Sequence, residues 1–289
     1  MKRQKYIGYL FILPSVIGVS TFFLFPLIFS LVLAFTNWSG PAGIGREFIG
    51  FENFKRLLSD QVFFEALVNN FYYLLHVPIS IFLGFIIAVI LNKSVYFKNA
   101  LRATFFMPYL ISSIAIGFVW MLLFHPSNGP INNILMTFGI DNPPGWLSST
   151  DSSMLAIVIM SAWQIMGFNI IIFLAALQDV PKSLEEAAMI DGAKKFQIVR
   201  YVTFPFVSPI TFFLFIIGTI NAFKNFGLIQ AVTGGGPANS TNILPLYVYQ
   251  TAFRYYELGY ASAIAIVLFL IIFIITLVQW YGQKKWVHY

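Results

Sequence analysis

Six stretches rich in apolar residues, each about as long as the 20 or so residues a helix needs to cross roughly 30 Å of hydrocarbon, divide this sequence. They cover residues 9–35, 66–91, 103–124, 154–177, 205–226 and 258–280. Inside lipid every backbone polar group needs a partner from the protein itself, so such runs fold as spanning helices. Composition agrees, because 58% of the 289 residues are apolar and 10% are charged, against about 25% charged in an ordinary soluble domain. A water-soluble enzyme is thereby excluded, and an all-α polytopic membrane protein with six transmembrane helices is predicted. The absence of Cys rules out disulfide scaffolds, thiolate metal sites and thiol nucleophiles.

The net charge of +6 does not signal nucleic acid, because the basic residues fall in short clusters between the apolar runs. They act instead as topology signals. The first run follows Lys2, Arg3 and Lys5; it is too long for the hydrophobic region of a signal peptide and lacks a small-residue cleavage site, which predicts an uncleaved anchor. With that end inside, the inner segments carry twelve Lys and Arg: three in the tail, Lys93, Lys98 and Arg102 next, then Lys182, Lys194, Lys195 and Arg200, and finally Lys284 and Lys285. The outer side carries five, Arg46, Lys55, Arg56, Lys224 and Arg254. Both termini are therefore expected in the cytoplasm. The outer loops 37–65, 125–153 and 227–257 are rich in turn formers such as Pro41, Gly43, Gly45, Pro130 and Gly234–Pro237. They can dock a partner but are too short to be enzyme domains.

The six runs contain no Asp or Glu. Ion-coupled carriers usually keep such residues in the bilayer. His76 is the one mid-span ionisable residue, and it reads as a packing or hydrogen-bonding group rather than a proton relay. Uncharged polar residues concentrate instead at helical spacing. Ser161, Gln164, Ile165 and Phe168 follow i, i+3, i+4, i+7, as do Gly218, Asn221, Ala222 and Asn225. Such stripes either join helices or line a wet cavity. Mixture with Trp163 and Phe168 favours a path for a neutral solute such as a sugar, whose C–H faces stack on rings and whose hydroxyls pair with amides.

The longest inner loop, 178–204, contains Ser183 three residues before Glu186, the spacing of a capping box. A short helix is expected to start there, pass through Ala187 and Ala188, and end at Gly192, where positive φ is tolerated. A second, basic helix is expected up to Pro205.

Glu186-Ala187-Ala188, three residues, Gly192, nine residues and Val202-x-Phe204-Pro205 resemble the EAA loop of binding-protein-dependent ABC importer permeases. Val202 and Phe204 stand where that pattern has Ile and Leu. The segments 6–26 and 233–253 resemble the carbohydrate branch, the MalF-like or UgpA-like subunits. The resemblance implies a type I ABC importer permease fold in a bacterial or archaeal cell membrane. It implies an N-terminal helix and external loop over 1–65, a type-1 core over 66–280 that holds the coupling loop, and a tail at 281–289. It also implies that Glu186, Ala187, Ala188, Gly192 and Pro205 seat the chain on an ATPase. Ser161, Trp163, Gln164, Phe168, Asn221 and Asn225, with Ser113 of the third span, are the implied substrate-pathway residues.

Gly234-Gly235-Gly236-Pro237 is no phosphate loop, because G-x-x-x-x-G-K-[ST] is missing and Pro follows. His76, His125 and His288 fall on different spans or sides, and no cofactor or metal is expected. Energy must then come from elsewhere. The expected partners are a second EAA-bearing permease, two ABC ATPase subunits and a periplasmic or lipid-anchored solute-binding protein. A glycerol-phosphate-type solute is the alternative within the family; a standalone ion-coupled carrier and a lipid-acting membrane enzyme are the alternatives outside it.

Overall fold

The computed structural model describes residues 2–40, 47–93 and 96–285. Pro41, Gly43, Gly45, Arg46 and His288, named above, lie outside the described residues. Almost all described secondary structure is helical, with one isolated antiparallel bridge between Thr36 and Phe48. In chain order, α1 (Phe11–Leu33) is apolar enough to span a membrane and contains a π turn at Ser20–Leu24. It is followed by α2 (Glu52–Leu58) and the long α3 (Gln61–Asn92). Next come α4 (Lys98–Leu110), α5 (Ser113–Leu123) and the short α6 (Pro130–Thr137). The central α7 (Ser153–Gln178) leads to α8 (Lys182–Ile190), then α9 (Lys195–Phe206) and α10 (Ser208–Ala222). Finally α11 (Gly227–Val232) and α12 (Leu244–Phe253) precede α13 (Leu258–Gly282).

Four of these helices are each long and apolar enough to be a candidate span by themselves. The third and fifth expected spans are bent pairs, α4 with α5 at 102° and α9 with α10 at 65°. The first break follows Pro108 and puts Ile111 and Ser112 in extended backbone, with ψ of 144° and 131°. The second falls at Val207, where Pro209 in the first turn of α10 lacks the N–H that would continue α9. The fifth span also ends at Ala222, short of the expected Phe226. Because α3 begins at Gln61, Glu65 lies inside it, one turn from its start.

The chain forms two compact units. The first comprises residues 1–63 and 247–270. Asn53 closes the end of α1, its Nδ2 donating to the carbonyls of Ala34 and Thr36 at 2.8 and 2.9 Å. Asp60 caps α3, with Oδ1 accepting from the N–H groups of Val62 and Phe63. Its second oxygen accepts from the phenols of Tyr247 and Tyr260. Burial disfavours the Asp60 carboxylate, but these four bonds outweigh that cost and hold its pKa below the usual carboxylate value. Arg56 lies over the Tyr260 ring, 4.0 Å from its centre, and pairs with Glu257 at 2.8 Å.

The second unit comprises residues 64–246 and 271–289 and is organised around α7. Ile157, Met160, Ile170 and Phe173 of α7 are fully buried. Small residues permit close approach, as is common between membrane helices. A Cβ at Gly167 would sit 2.2 Å from the carbonyl oxygen of Phe105, and one at Gly84 would sit 2.8 Å from the Cβ of Asn169. Polar bonds join the same surfaces, with Asn169 Nδ2 donating to Ser80 Oγ at 3.1 Å. On the other side, Asn70 donates to the carbonyl of Ala222 and accepts from the N–H of Leu244.

Since backbone cannot yield as a side-chain tip can, Gly167→Ala is expected to force α4 away from α7 at about 1–3 kcal/mol. The purified protein should melt several degrees lower, whereas Gly282→Ala, with nothing within 4 Å of its would-be Cβ, should melt like the parent. Equal melting of both variants would refute the contact.

Candidate functional site

In the second unit the breaks and ends of helices surround a cavity of about 630 Å³. Tyr73 and His76 of α3 form one wall, and Ser161, Gln164 and Ile165 of α7 form another. Tyr109 and the extended turn Ile111–Ser113 close a third side. The end of α10 supplies Asn221 and Asn225, and Phe226 with the start of α11 completes the lining. The lining holds no Lys, Arg, Asp or Glu.

Each polar wall residue has a structural reason to be where it is. The break between α4 and α5 releases the carbonyl of Ile111 from its helix, and Gln164 Nε2 donates to that oxygen at 3.2 Å and to Ser113 Oγ at 3.1 Å. Ser161 Oγ bonds to the Tyr73 phenol at 3.2 Å. His76 is buried and its Nδ1 donates to the Tyr73 carbonyl at 2.6 Å, which accords with the packing role read from the sequence while its ring also borders the cavity. Asn221 turns the chain beyond α10, its carbonyl accepting from the N–H groups of Lys224 and Asn225.

Five of the seven implied pathway residues therefore meet, namely Ser113, Ser161, Gln164, Asn221 and Asn225. Trp163 and Phe168 do not join them. Trp163 lies edge-on to Trp120, 5.6 Å between ring centres, away from the lining. Phe168 stacks behind Tyr109 at 5.0 Å, so it supports the wall without forming it. A 100° step per residue turns position 163 away from the face that 161 and 164 share. Sequence reasoning missed Tyr73 and Tyr109 and gave His76 only a packing role. For α3 a signal existed: Asn69, Tyr73, His76 and Ser80 recur at i, i+4, i+7, i+11.

The second candidate element is α8. Its expected capping box does not form, because the helix begins at Lys182 with Pro181 as N-cap. Ser183 is thus already inside the first turn, where its hydroxyl cannot serve as the cap. The expected end is present. Gly192 has φ +81°, its N–H bonds to the carbonyl of Met189, and the N–H of Ala193 bonds to that of Ala188, the paired bonds that close a helix through a left-handed residue. The next helix also runs further than expected, through Pro205 to Phe206, over a π turn at Val199–Thr203. Glu186 and Ala187 are exposed and Ala188 is half-buried. Around them Ile190, Phe196 and Tyr201 are 86%, 72% and 68% exposed, an apolar surface with no cover from the described residues.

Residues 80–287 match the profile of the binding-protein-dependent transport system inner membrane component family. The chain belongs to this family. It is a multi-pass inner-membrane protein, and its relatives are permease subunits of ABC importers. The arabinooligosaccharides transport system permease protein AraP of Halalkalibacterium halodurans is 36% identical over 96% of this chain and 88% of its own length. The sn-glycerol-3-phosphate transport system permease protein UgpA of Agrobacterium fabrum is 34% identical over 99% of this chain and 97% of its own. A solved bacterial alginate ABC transporter, in complex with an alginate pentasaccharide-bound periplasmic protein, shares the fold. Its matching chain gives a TM-score of 0.84 at 20% identity, over 98% of this chain and 96% of that one.

Gln164→Leu would leave the Ile111 carbonyl without its partner, a loss of about 1–3 kcal/mol, and would remove an amide from the cavity. Transport of the cognate solute is expected to fall about tenfold or more in Gln164→Leu and Asn225→Leu, with Trp163→Leu close to the parent. Uptake assays on membranes with matched expression check this; normal transport by both cavity variants would make these amides helix joints only.

Proposed function

We propose that this chain forms half of the translocation pathway of an ATP-driven importer for a neutral sugar delivered by an extracytoplasmic binding protein. The carrying observation is the 630 Å³ cavity with amides, hydroxyls and aromatic rings but no charged side chain in its lining. That volume falls inside the roughly 300–1,000 Å³ of small-molecule sites. Tyr109 and Phe226 offer ring surface for C–H faces, while Gln164, Asn221, Asn225 and Ser113 offer donors and acceptors for hydroxyls. A glycerol-phosphate solute, as the name of the UgpA relative suggests, would bring an anion to a wall without a cation, and burying an unpaired charge is costly.

The energy source is a separate pair of ATPase subunits. The sequence contains no P-loop, and the exposed surface of α8 with Ile190 and Tyr201 suits a protein partner. A second EAA-bearing permease completes the path. The twelve-to-five distribution of Lys and Arg supports a cytoplasmic position for both termini and α8. By the family resemblance, Glu186, Ala187, Ala188 and Gly192 form the coupling contact, Pro205 enters the following span, and the functional core runs over 66–280 with 1–65 as an added helix and external loop.

A ligand screen on the cognate binding protein, followed by uptake into proteoliposomes containing both permeases and the ATPases, tests the reading. ATP-dependent uptake of a neutral saccharide is expected. Accumulation by this polypeptide alone under a proton or sodium gradient would overturn it. Gly192→Val adds a β-branched residue at φ +81° with nothing within 4 Å of its would-be Cβ, so its penalty is conformational, about 1–2 kcal/mol or more. Reduced recovery of the ATPase with the permease, and reduced transport, are expected; unchanged recovery and transport would remove α8 from the coupling role.

A further inference from the structure

A second cavity of the same unit, about 510 Å³, lies where α3 and α7 end and α8 and α9 begin. Its floor includes Leu177, Val180 and Ile198, all buried. Three lysines line it, Lys93, Lys182 and Lys195, against one acidic residue, Glu185. Among the described residues none of these lysines has an ion pair, and none of their side chains donates a hydrogen bond. The Asn92 carbonyl at the end of α3 accepts from a different lysine, Lys98, whose Nζ donates to it at 3.2 Å. Three like charges from three elements around one concavity repel one another, which an anion between them would reverse.

We infer that this cavity binds the headgroup of an anionic phospholipid from the cytoplasmic leaflet. The inference rests on the orientation proposed above, which puts the ends of α3 and α7 at the level of those headgroups. Basic pockets between spanning helices on that side suit phosphodiesters, and the apolar floor matches the glycerol and upper acyl region, which a soluble anion lacks. Lys182, Glu185 and Met189, at i, i+3 and i+7 of α8, form the stripe that borders the cavity; Glu186 flanks that stripe, and Ala187 and Ile190 lie further round the helix, outside the lining. A phosphate held by Lys182 and Lys195, which bracket α8 and the loop after it, and by Lys93 at the end of α3 would tie the coupling segment to the helix bundle.

The test measures lipid retention directly. The permease, purified with its partner subunits, is placed in nanodiscs of equal phosphatidylglycerol and phosphatidylcholine, and bound lipid is counted by native mass spectrometry. Retention of phosphatidylglycerol over phosphatidylcholine on the order of tenfold is expected from the net charge of the site. It should fall to parity in K93Q/K182Q/K195Q and persist in K93R/K182R/K195R. Equal retention of both lipids by the parent, or unchanged preference in the Gln variant, overturns the site. Displacement of the lipid by millimolar inorganic phosphate makes it a soluble-anion site and overturns the lipid assignment. Loss of the ATPase from the Gln variant with lipid preference intact assigns the lysines to the ATPase instead. Because retention is read without transport, failure of the sugar reading leaves this result separable.

Discussion

A helix that breaks inside lipid must find new partners for the backbone groups it releases, and the architecture of the second unit follows from how that requirement is met. At the 102° break between α4 and α5, Gln164 of α7 takes the carbonyl of Ile111. At the end of α10, Asn70 of α3 takes the carbonyl of Ala222. Unpaired, such groups cost several kcal/mol in hydrocarbon; paired, they fix where α3, α7 and α10 lie. The same breaks keep the chain from filling the space between them. The cavity is therefore a by-product of the places where helical hydrogen bonding stops, and its wall amides are the groups already present to compensate for that.

This double duty explains why helix joint and pathway lining could not be separated from periodicity alone. Ser161 and Gln164 do both, as they bond to Tyr73 and to the α4–α5 turn while bordering the cavity. Asn169, on the same helix, does only the first, since it is buried against Ser80 and lies outside the lining. The distinction depends on which neighbouring helix is continuous at that depth.

Much of the fold was legible because it depends on averages. Six apolar runs predicted six spans, which the structure places at largely the same positions, two of them as bent pairs, and the residue pattern around Gly192 predicted the left-handed close of α8. What was not legible depends on a few bonds. A window of about 20 residues smooths over the two extended residues at Ile111–Ser112, which are as acceptable to hydropathy as helix. The Ser183–Glu186 spacing suggested a cap, yet Pro181, preset near the φ of a helix start, begins α8 earlier. Asn225 continues the helical stripe of Gly218 and Asn221 in the sequence, but it reaches the cavity from beyond the end of α10. Trp163 has the chemistry of a pathway residue, but its angular position turns it toward Trp120 and away from the lining.

Helix α7 carries Ser161 and Gln164 in its middle and joins α8 through only three residues after Gln178. From Gln164 to Gln178 the rise is about 21 Å at 1.5 Å per residue, along an uninterrupted rod. Tipping that rod by about 5° about its lower end would sweep the Gln164 amide sideways by nearly 2 Å, whereas a hydrogen bond is largely lost within about half an ångström beyond its normal length. A small swing of the loop below would thus be enough to unfasten the elbow between α4 and α5. Leverage rather than distance sets the sensitivity of this protein's interior to what happens at its base.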